Sequence, residues 1–425
     1  MLSATKLRLY PTAAERDILA RQFGCVRFVR NKALAMKKVA WAERKESLSC
    51  YTIKGMLPLW KAGEFPWLKE ADSQALQSAI LSLDVAYKNF FERRTGFPRF
   101  KSKHDARQSI QYPQRVKLDG NRIYLPKVGW VRVVVHRAIV GKIKTVTVSR
   151  ESNGKYFAAI LAEDGLPATE PLKAFDASQV AGVDVGLKDA VVDHLGHKTG
   201  NPKFLRTALP NLRRRQRVLS RKIEAAKERY AAAKAAWAGE GAPNFKLRDF
   251  FGANIAKDRK RVARAHERVR NARNDWQHKL SRQLADENQA VAAETLNVIG
   301  MMKNRRLSRA IADVGWSGLL VKTGYKLQRK GGQLVKIDRW FPSSKTCSCC
   351  GTLYEGLTLD ERSWVCAGCD AVHDRDKNAA LNIRAAGIVK LKAEGLSVSA
   401  HGGSVRPPRT AVAAADEVGS LRLQA

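Results

Sequence analysis

Cys347, Cys350, Cys366 and Cys369 fall as C-x₂-C, fifteen residues, C-x₂-C, and the acidic run His373-Asp374-Arg375-Asp376 stands directly behind them. Thiolates at these separations close a tetrahedron around Zn²⁺, the arrangement of a zinc ribbon. Cys349 adds a further thiol, so that Cys347-Ser348-Cys349-Cys350 permits more than one ligand choice; the x₂ spacing favours Cys347 and Cys350. Carboxylates without thiols among them suit a harder ion such as Mg²⁺ or Mn²⁺.

Three acids fit that second role. Asp184 interrupts the apolar run Val180-Ala-Gly-Val-Asp-Val, where a carboxylate is costly unless a cation compensates it. Glu294 ends a second apolar run, Ala290-Val-Ala-Ala-Glu. Asp376 opens a helical pattern in which it shares a face with Ala379, Ala380 and Ile383, whereas Asp374 shares one with Asn378 and Asn382. The small apolar face is expected to lie on a sheet. Converging there, the three acids would bind two Mg²⁺ or Mn²⁺ ions about 4 Å apart, the spacing used for in-line phosphodiester hydrolysis; which of Asp374 and Asp376 touches metal stays open. The turn Val183-Asp-Val-Gly also suits the first phosphate loop of an actin-like ATPase, but glycine-rich phosphate loops and a G-x₄-G-K-[ST] motif do not follow.

The bulk composition points the same way. With 425 residues and 44% apolar side chains the chain is long enough for two to four folded modules. Its 77 Lys and Arg against 40 Asp and Glu give a formal charge of +37, a field that attracts polyphosphate. No run approaches the roughly 18 apolar residues of a spanning helix, so a cytoplasmic, nucleoid-associated protein without a membrane partner is expected.

The elements that must position these residues follow from periodicity. A basic strand near Lys6–Tyr10 precedes a helix opened by Pro11 and Thr12, in which Phe23, Val26, Phe28, Val29 and Ala33 recur among Arg21, Arg27 and Arg30. A second helix starts at Asp72 or Ser73. The linker TGFPRFKSKHDARQSIQYPQ alternates Phe97, Phe100 and Tyr112 with Arg99, Lys101, Lys103 and Arg107, a pattern able to stack on bases and hold phosphates. From Arg115 to about Glu163, short alternating runs with turns at Asp119-Gly120 and Asn153-Gly154 predict hairpins and a small barrel of oligonucleotide-binding type. Leu212–Trp237 and Ala256–Asn288 read as an antiparallel helical hairpin, with Val262, Val269 and Trp276 seven apart and Arg213, Arg214 and Arg215 on a polar face. A basic loop around Arg305 and a strand Gln333–Asp338 lead to the ribbon.

The chain resembles the transposon-encoded TnpB proteins, compact relatives of type V CRISPR effector nucleases. The resemblance rests on KLRLYPTAAE, GCVRFVRNKAL, SQALQSAILSLDVAYKNFF, GFPRFKSK, GVDVGLKD, RNARNDWQHKLSRQL, AAETLNV, DVGWSGL, WFPSSKTCSCCG and HDRDKNAALNI, and is most specific from Trp340 to Ile383. It implies a multidomain α+β protein: a helical recognition module at 11–105, a wedge-like β-barrel at 106–172 whose first strand is 1–10, and an RNase H-like RuvC domain at 173–343. The RuvC domain would hold the helical hairpin at about 211–288, with the zinc ribbon at 344–371, a closing helix at 372–394 and a flexible tail at 395–425. The RuvC acids would be Asp184, Glu294 and Asp376. The implied activity is RNA-guided, metal-dependent cleavage of double-stranded DNA beside a short transposon-adjacent motif, with a guide RNA from the transposon end; a monomer is expected, though the sequence leaves the oligomeric state open. Residues expected to meet nucleic acid are Arg27, Arg30, Phe97, Arg99, Phe100, Lys101, Lys103, Arg213, Arg214 and Arg305. Rival readings are a DNA-binding accessory or regulator of transposition that does not cut, and a strand-transfer recombinase. The segment around GEGAPNFKLRDFFG departs from the family pattern by its length, and Cys349 by its type.

Overall fold

The structure is a computed structural model that describes residues 2–165, 167, 169–236, 246–358 and 360–398. The insert at 237–245 and all but the first residues of the expected tail lie outside the described residues. The chain divides into two compact units, Met1–Pro167 with Arg221–Ala263, and Ala168–Ser220 with Arg264–Ala425.

The first unit begins with strand β1 (Leu2–Leu9) and helix α1 (Ala13–Arg44). Thr12 caps α1: its hydroxyl accepts from the Glu15 amide while the Glu15 carboxylate accepts from the Thr12 amide, satisfying two otherwise orphaned donors. Short helices α2 (Cys50–Gly55) and α3 (Leu57–Ala62) lead to α4 (Ser73–Phe91), capped by the Asp72 carboxylate, with Leu76, Ile80 and Leu83 fully buried at steps of three and four. Strands β2 (Arg107–Tyr112), β3 (Lys117–Asp119), β4 (Arg122–Leu125), β5 (Gly129–Val134), β6 (Lys142–Glu151) and β7 (Tyr156–Glu163) join β1 in a seven-stranded sheet ordered β2-β6-β7-β1-β5-β4-β3. Alternate residues such as Val131 and Val133, or Val146 and Val148, are fully buried, and they share one continuous core with Leu34, Leu76 and Ile80 of the helices.

The second unit contains a five-stranded sheet built from β9 (Val180–Asp184), β10 (Asp189–Asp193), β11 (Lys198–Gly200), β12 (Ala290–Glu294) and β13 (Gln333–Ile337), in the order β11-β10-β9-β12-β13. Strands β9, β10 and β11 are antiparallel neighbours, whereas β12 runs parallel to both β9 and β13. The central strands β9 and β12 are apolar up to their terminal acids because both faces are covered. Two long helices, α5 (Phe204–Ala236) and α6 (Ala253–Glu287), contribute to both units and run antiparallel: Arg229 reaches the Phe250 carbonyl, Lys222 pairs with Asp258, and Phe204 packs on Trp276. Helix α5 starts eight residues before Leu212, because the buried Asp313 carboxylate accepts from the Leu205 and Arg206 amides at its N-terminus. Helices α7 (Val298–Met301), α8 (Ser308–Val314) and α9 (Trp316–Gln328) connect β12 to β13.

The ribbon hairpin β14 (Ser363–Val365) and β15 (Val372–Asp374) runs into α10 (Arg375–Ala393). Gly395–Val398 is not a tail: Ser397–Val398 forms β16, paired in parallel with β8 (Ala174–Phe175), and Phe175 is fully buried. No helix among the described residues is long and apolar enough to cross a membrane.

Candidate active site and metal centre

Asp184 and Glu294 occupy the C-terminal ends of adjacent parallel strands in the middle of the sheet, one residue beyond the Val183–Ala293 pair, so their Cα atoms lie about 5 Å apart. Asp376 comes from the first turn of α10, which lies directly on those strands. A Cβ on Gly182 would stand 2.1 Å from the Ala380 carbonyl, and one on Gly387 would stand 2.4 Å from the Ala292 side chain. Ala379, Ala380 and Ile383 are buried, the face expected to rest on the sheet. Arg384 fixes the helix lengthwise, donating to the Val180 and Ala177 carbonyls at 2.8 and 2.6 Å.

The electrostatics report the convergence. Burial pushes Asp184 up from the ordinary 3.8 to about 7, and the charges of Glu294 and Asp376 push in the same direction. Part of Asp184 is open to solvent, yet it sits deep among protein atoms. Several positive groups approach the acids. Arg362 donates to both Asp376 oxygens at 3.2 Å, and Arg375 lies 3.9 Å from the same carboxylate. The Ser343 hydroxyl donates to Glu294 Oε1.

Asp374 has a different role. Its carboxylate caps α10, accepting from the Asp376 and Lys377 amides, and it pairs with Lys198 at 2.6 Å. Burial alone would raise it, but Lys198 and the capped amides outweigh that and hold it below the usual carboxylate range. Between Asp374 and Asp376, the latter stands with Asp184 and Glu294. The oxygens of these three acids do not all fall within 4.8 Å of one another, whereas the ribbon thiols do.

The four sulfurs of Cys347, Cys350, Cys366 and Cys369 form that thiol group, with Cys347–Cys369 at 3.7 Å and Cys350–Cys366 at 3.5 Å. A tetrahedron with Zn–S near 2.3 Å has edges of about 3.8 Å, so the cage has the size zinc requires. Burial pushes the Cys347 thiol up to about 12, while the Thr352 hydroxyl, 3.2 Å from the Cys350 sulfur, holds that thiol down to about 6. Cys349 is exposed and stands in a second ligand group with Cys347 and His373.

His373, Asn378 and Asn382 make contacts at the ribbon that sequence reasoning missed. His373 is buried, its Nε2 lies 3.0 Å from the Cys347 sulfur, and its ring packs 4.7 Å from Trp364. Asn378 accepts from the Ser348 amide and donates to the Thr346 carbonyl, and Asn382 donates to the Ser343 and Thr346 carbonyls. The first knuckle is therefore clamped onto the helix that carries Asp376. Ser343, Lys198 and Arg362 were missed too, and only the HDRD run, which none of them adjoins in the chain, signalled the neighbourhood.

The expected nucleic-acid residues separate into two groups. Phe97, Arg99, Phe100, Lys101, Lys103, Arg213, Arg214 and Arg305 are exposed. Arg27 is half-buried and donates to Gln108 Oε1. Arg30 is a correction: it is buried and its guanidinium donates to the Arg99 carbonyl, which leaves it holding the linker rather than facing a phosphate. Tyr112 is another, a fully buried residue of β2 whose hydroxyl lies 2.9 Å from Gln22 Oε1.

A four-thiol ribbon clamped beside a group of carboxylates, on a basic chain of mixed α+β units, defines a multidomain α+β protein whose fold resembles that of Cas12f. Residues 167–305 match a family model described as "Probable transposase", 316–383 one described as "Cas12f1-like, TNB domain", and 1–46 one described as "Helix-turn-helix domain". In the structure that last segment is β1 followed by the single helix α1. A Streptomyces pristinaespiralis protein named "Putative RNA-guided DNA endonuclease" is 38% identical over 414 residues, covering 96% of this chain and 92% of that one. The Escherichia coli (strain K12) protein "Putative RNA-guided DNA endonuclease InsQ" is 30% identical over 408 residues, covering 91% and 92%. A solved Cas12f1–sgRNA–target DNA complex shares the fold, with a TM-score of 0.52 at 16% identity over 90% of this chain and 98% of that one. The chain belongs to the transposon-encoded TnpB family.

Proposed function

We propose that the chain is an RNA-guided DNA endonuclease that hydrolyses phosphodiesters at one RuvC-type, RNase H-like site formed by Asp184, Glu294 and Asp376, beside a short transposon-adjacent motif. The observation that carries the reading is the gathering of these acids, with Asp184 pushed up to about 7 by burial and by the other two charges. Uncompensated, such a group opposes its own ionisation, which makes a cation the fitting partner. Support for the RNase H-like reading comes from the sheet order, three antiparallel strands continued by two parallel ones, with a helix laid over the centre. The relatives' names supply the guide and the target.

Divalent Mg²⁺ or Mn²⁺ held by the three acids would activate the attacking water and stabilise the leaving 3′ oxygen. The chain's own groups orient the ligands: Ser343 fixes one oxygen of Glu294, Arg362 holds Asp376 until a stronger cation competes, and Asp374 keeps the first turn of α10 in place. Zn²⁺ on the four thiols would fold the ribbon. The wedge role of the β-sheet, the guide on its helices and the aromatic linker, and a monomeric state complete the proposal.

The test uses full-length protein purified with its co-expressed RNA, the RNA being sequenced to define a matching plasmid target. Cleavage that needs Mg²⁺ and is lost in Asp184→Ala and Glu294→Ala supports the assignment. Cleavage persisting in both variants removes these acids from the chemistry. Target binding without cleavage by the parent protein would instead favour a regulator of transposition.

A further inference from the structure

Two clefts of about 800 and about 670 Å³ lie in the first unit, and the one residue that lines both is Phe100. The larger has an aromatic wall of Phe28, Phe65 and Trp67, with ring centroids 4.7–6.3 Å apart, and Lys32 stands 4.6 Å over the Phe65 ring. The smaller contains Phe97, and Lys38 stands over both rings, 5.4 Å from Phe97 and 5.2 Å from Phe100.

The Phe100 ring is held in the open by the main chain on either side of it. Arg30 donates to the Arg99 carbonyl at 3.0 Å, and the Asn31 amide both donates to and accepts from the Lys101 backbone at 2.9 Å. Three hydrogen bonds from consecutive residues of α1 thus fix a large apolar side chain that remains 52% exposed. Hydrophobic burial would have drawn such a ring inward; here polar anchoring sets it between two cavities.

We infer that the clefts take two consecutive unstacked nucleotides of a single strand, with Phe100 wedged between their bases. Both volumes fall within the roughly 300–1,000 Å³ of small-ligand sites. Aromatic walls offer stacking to any base, and cations at the rims (Arg27, Lys32, Lys38) suit the connecting phosphates. The inference rests on reading the chain as nucleic-acid-binding and adds to it where one strand is splayed.

The probes are 12-residue single-stranded oligonucleotides, one RNA and one DNA, each with two adjacent 2-aminopurines, whose mutual stacking quenches their fluorescence. Full-length protein in magnesium-free buffer at low salt should raise that fluorescence on binding, and the backbone giving the larger rise identifies the strand. Phe100→Ala should abolish the rise and weaken binding about 5- to 100-fold, while Phe100→Trp should keep both. The ring is exposed, so the variants should melt like the parent. Unchanged binding and unchanged fluorescence in Phe100→Ala would overturn the wedge while leaving nucleic-acid binding intact. Failure of the parent to bind either oligonucleotide would overturn both readings.

Discussion

Replacing Asp184 with Asn tests whether burial and the neighbouring acids together oppose its charge in the absence of a cation. The rise from 3.8 to about 7 corresponds to a ceiling of about 4 kcal/mol, at about 1.4 kcal/mol per unit, and partial solvent access brings the expected effect nearer about 1–3 kcal/mol. The sign follows from proton linkage: the folded state holds this proton more tightly than the unfolded chain, so the stability it contributes is full below about pH 4 and is lost as pH rises through about 7. Asn carries no charge and escapes that loss. Calorimetry of parent and Asp184→Asn in magnesium-free buffer should therefore show nearly equal melting near pH 4.5 and a variant several degrees more stable near pH 8, given about 2–4 °C per kcal/mol. Excess Mg²⁺ should reverse the order by binding the native parent. A variant less stable than the parent at pH 8 without Mg²⁺, or a difference independent of pH, would refute the reasoning.

Other perturbations have equally direct readouts. Gly182→Ala places a methyl 2.1 Å from the Ala380 carbonyl and should cost about 3 kcal/mol or more, seen as a lowered melting temperature and lost protection of α10 amides in hydrogen exchange. His373→Phe keeps the packing on Trp364 but removes the polar contact to Cys347, and should weaken zinc binding about 10- to 100-fold in competition titrations. Binding of nucleic acid through its phosphates, which a chain of charge +37 favours, predicts that affinity falls by about 10³-fold or more between 50 and 200 mM salt; a flat salt profile would contradict that.

What the sequence made legible was set by how local each signal is. Asp184 and Glu294 stood out because a carboxylate at the end of an apolar run is conspicuous without knowledge of its neighbours, and the thiols recur as two C-x₂-C doublets a short way apart in the chain. The roles of Asn378 and Asn382 were hidden, since their partners are main-chain groups of residues 343–348 that carry no type signature. Strand β2 was read as linker because its exposed residues are polar and basic; Ile110 and Tyr112, buried on the other face, are too few to mark a period. Ser397 and Val398 lie in a composition suited to a loop, and only pairing with Ala174 and Phe175 orders them. Arg30 shows the converse error: a cation on a helix is usually solvated, but one facing a returning chain becomes an anchor.

The contact of Gly182 with Ala380, and of Gly387 with Ala292, has a mechanical consequence for the cluster. At both places peptide or methyl groups touch without a long side chain between them, so the height of α10 above the sheet is set by atomic radii rather than by rotamers. A carboxylate mounted one turn from such a stop inherits its stiffness. Substitutions elsewhere in the core can then repack around the helix while the third acid stays at its working elevation, and drift at this site is confined to the few side chains that reach over the edge.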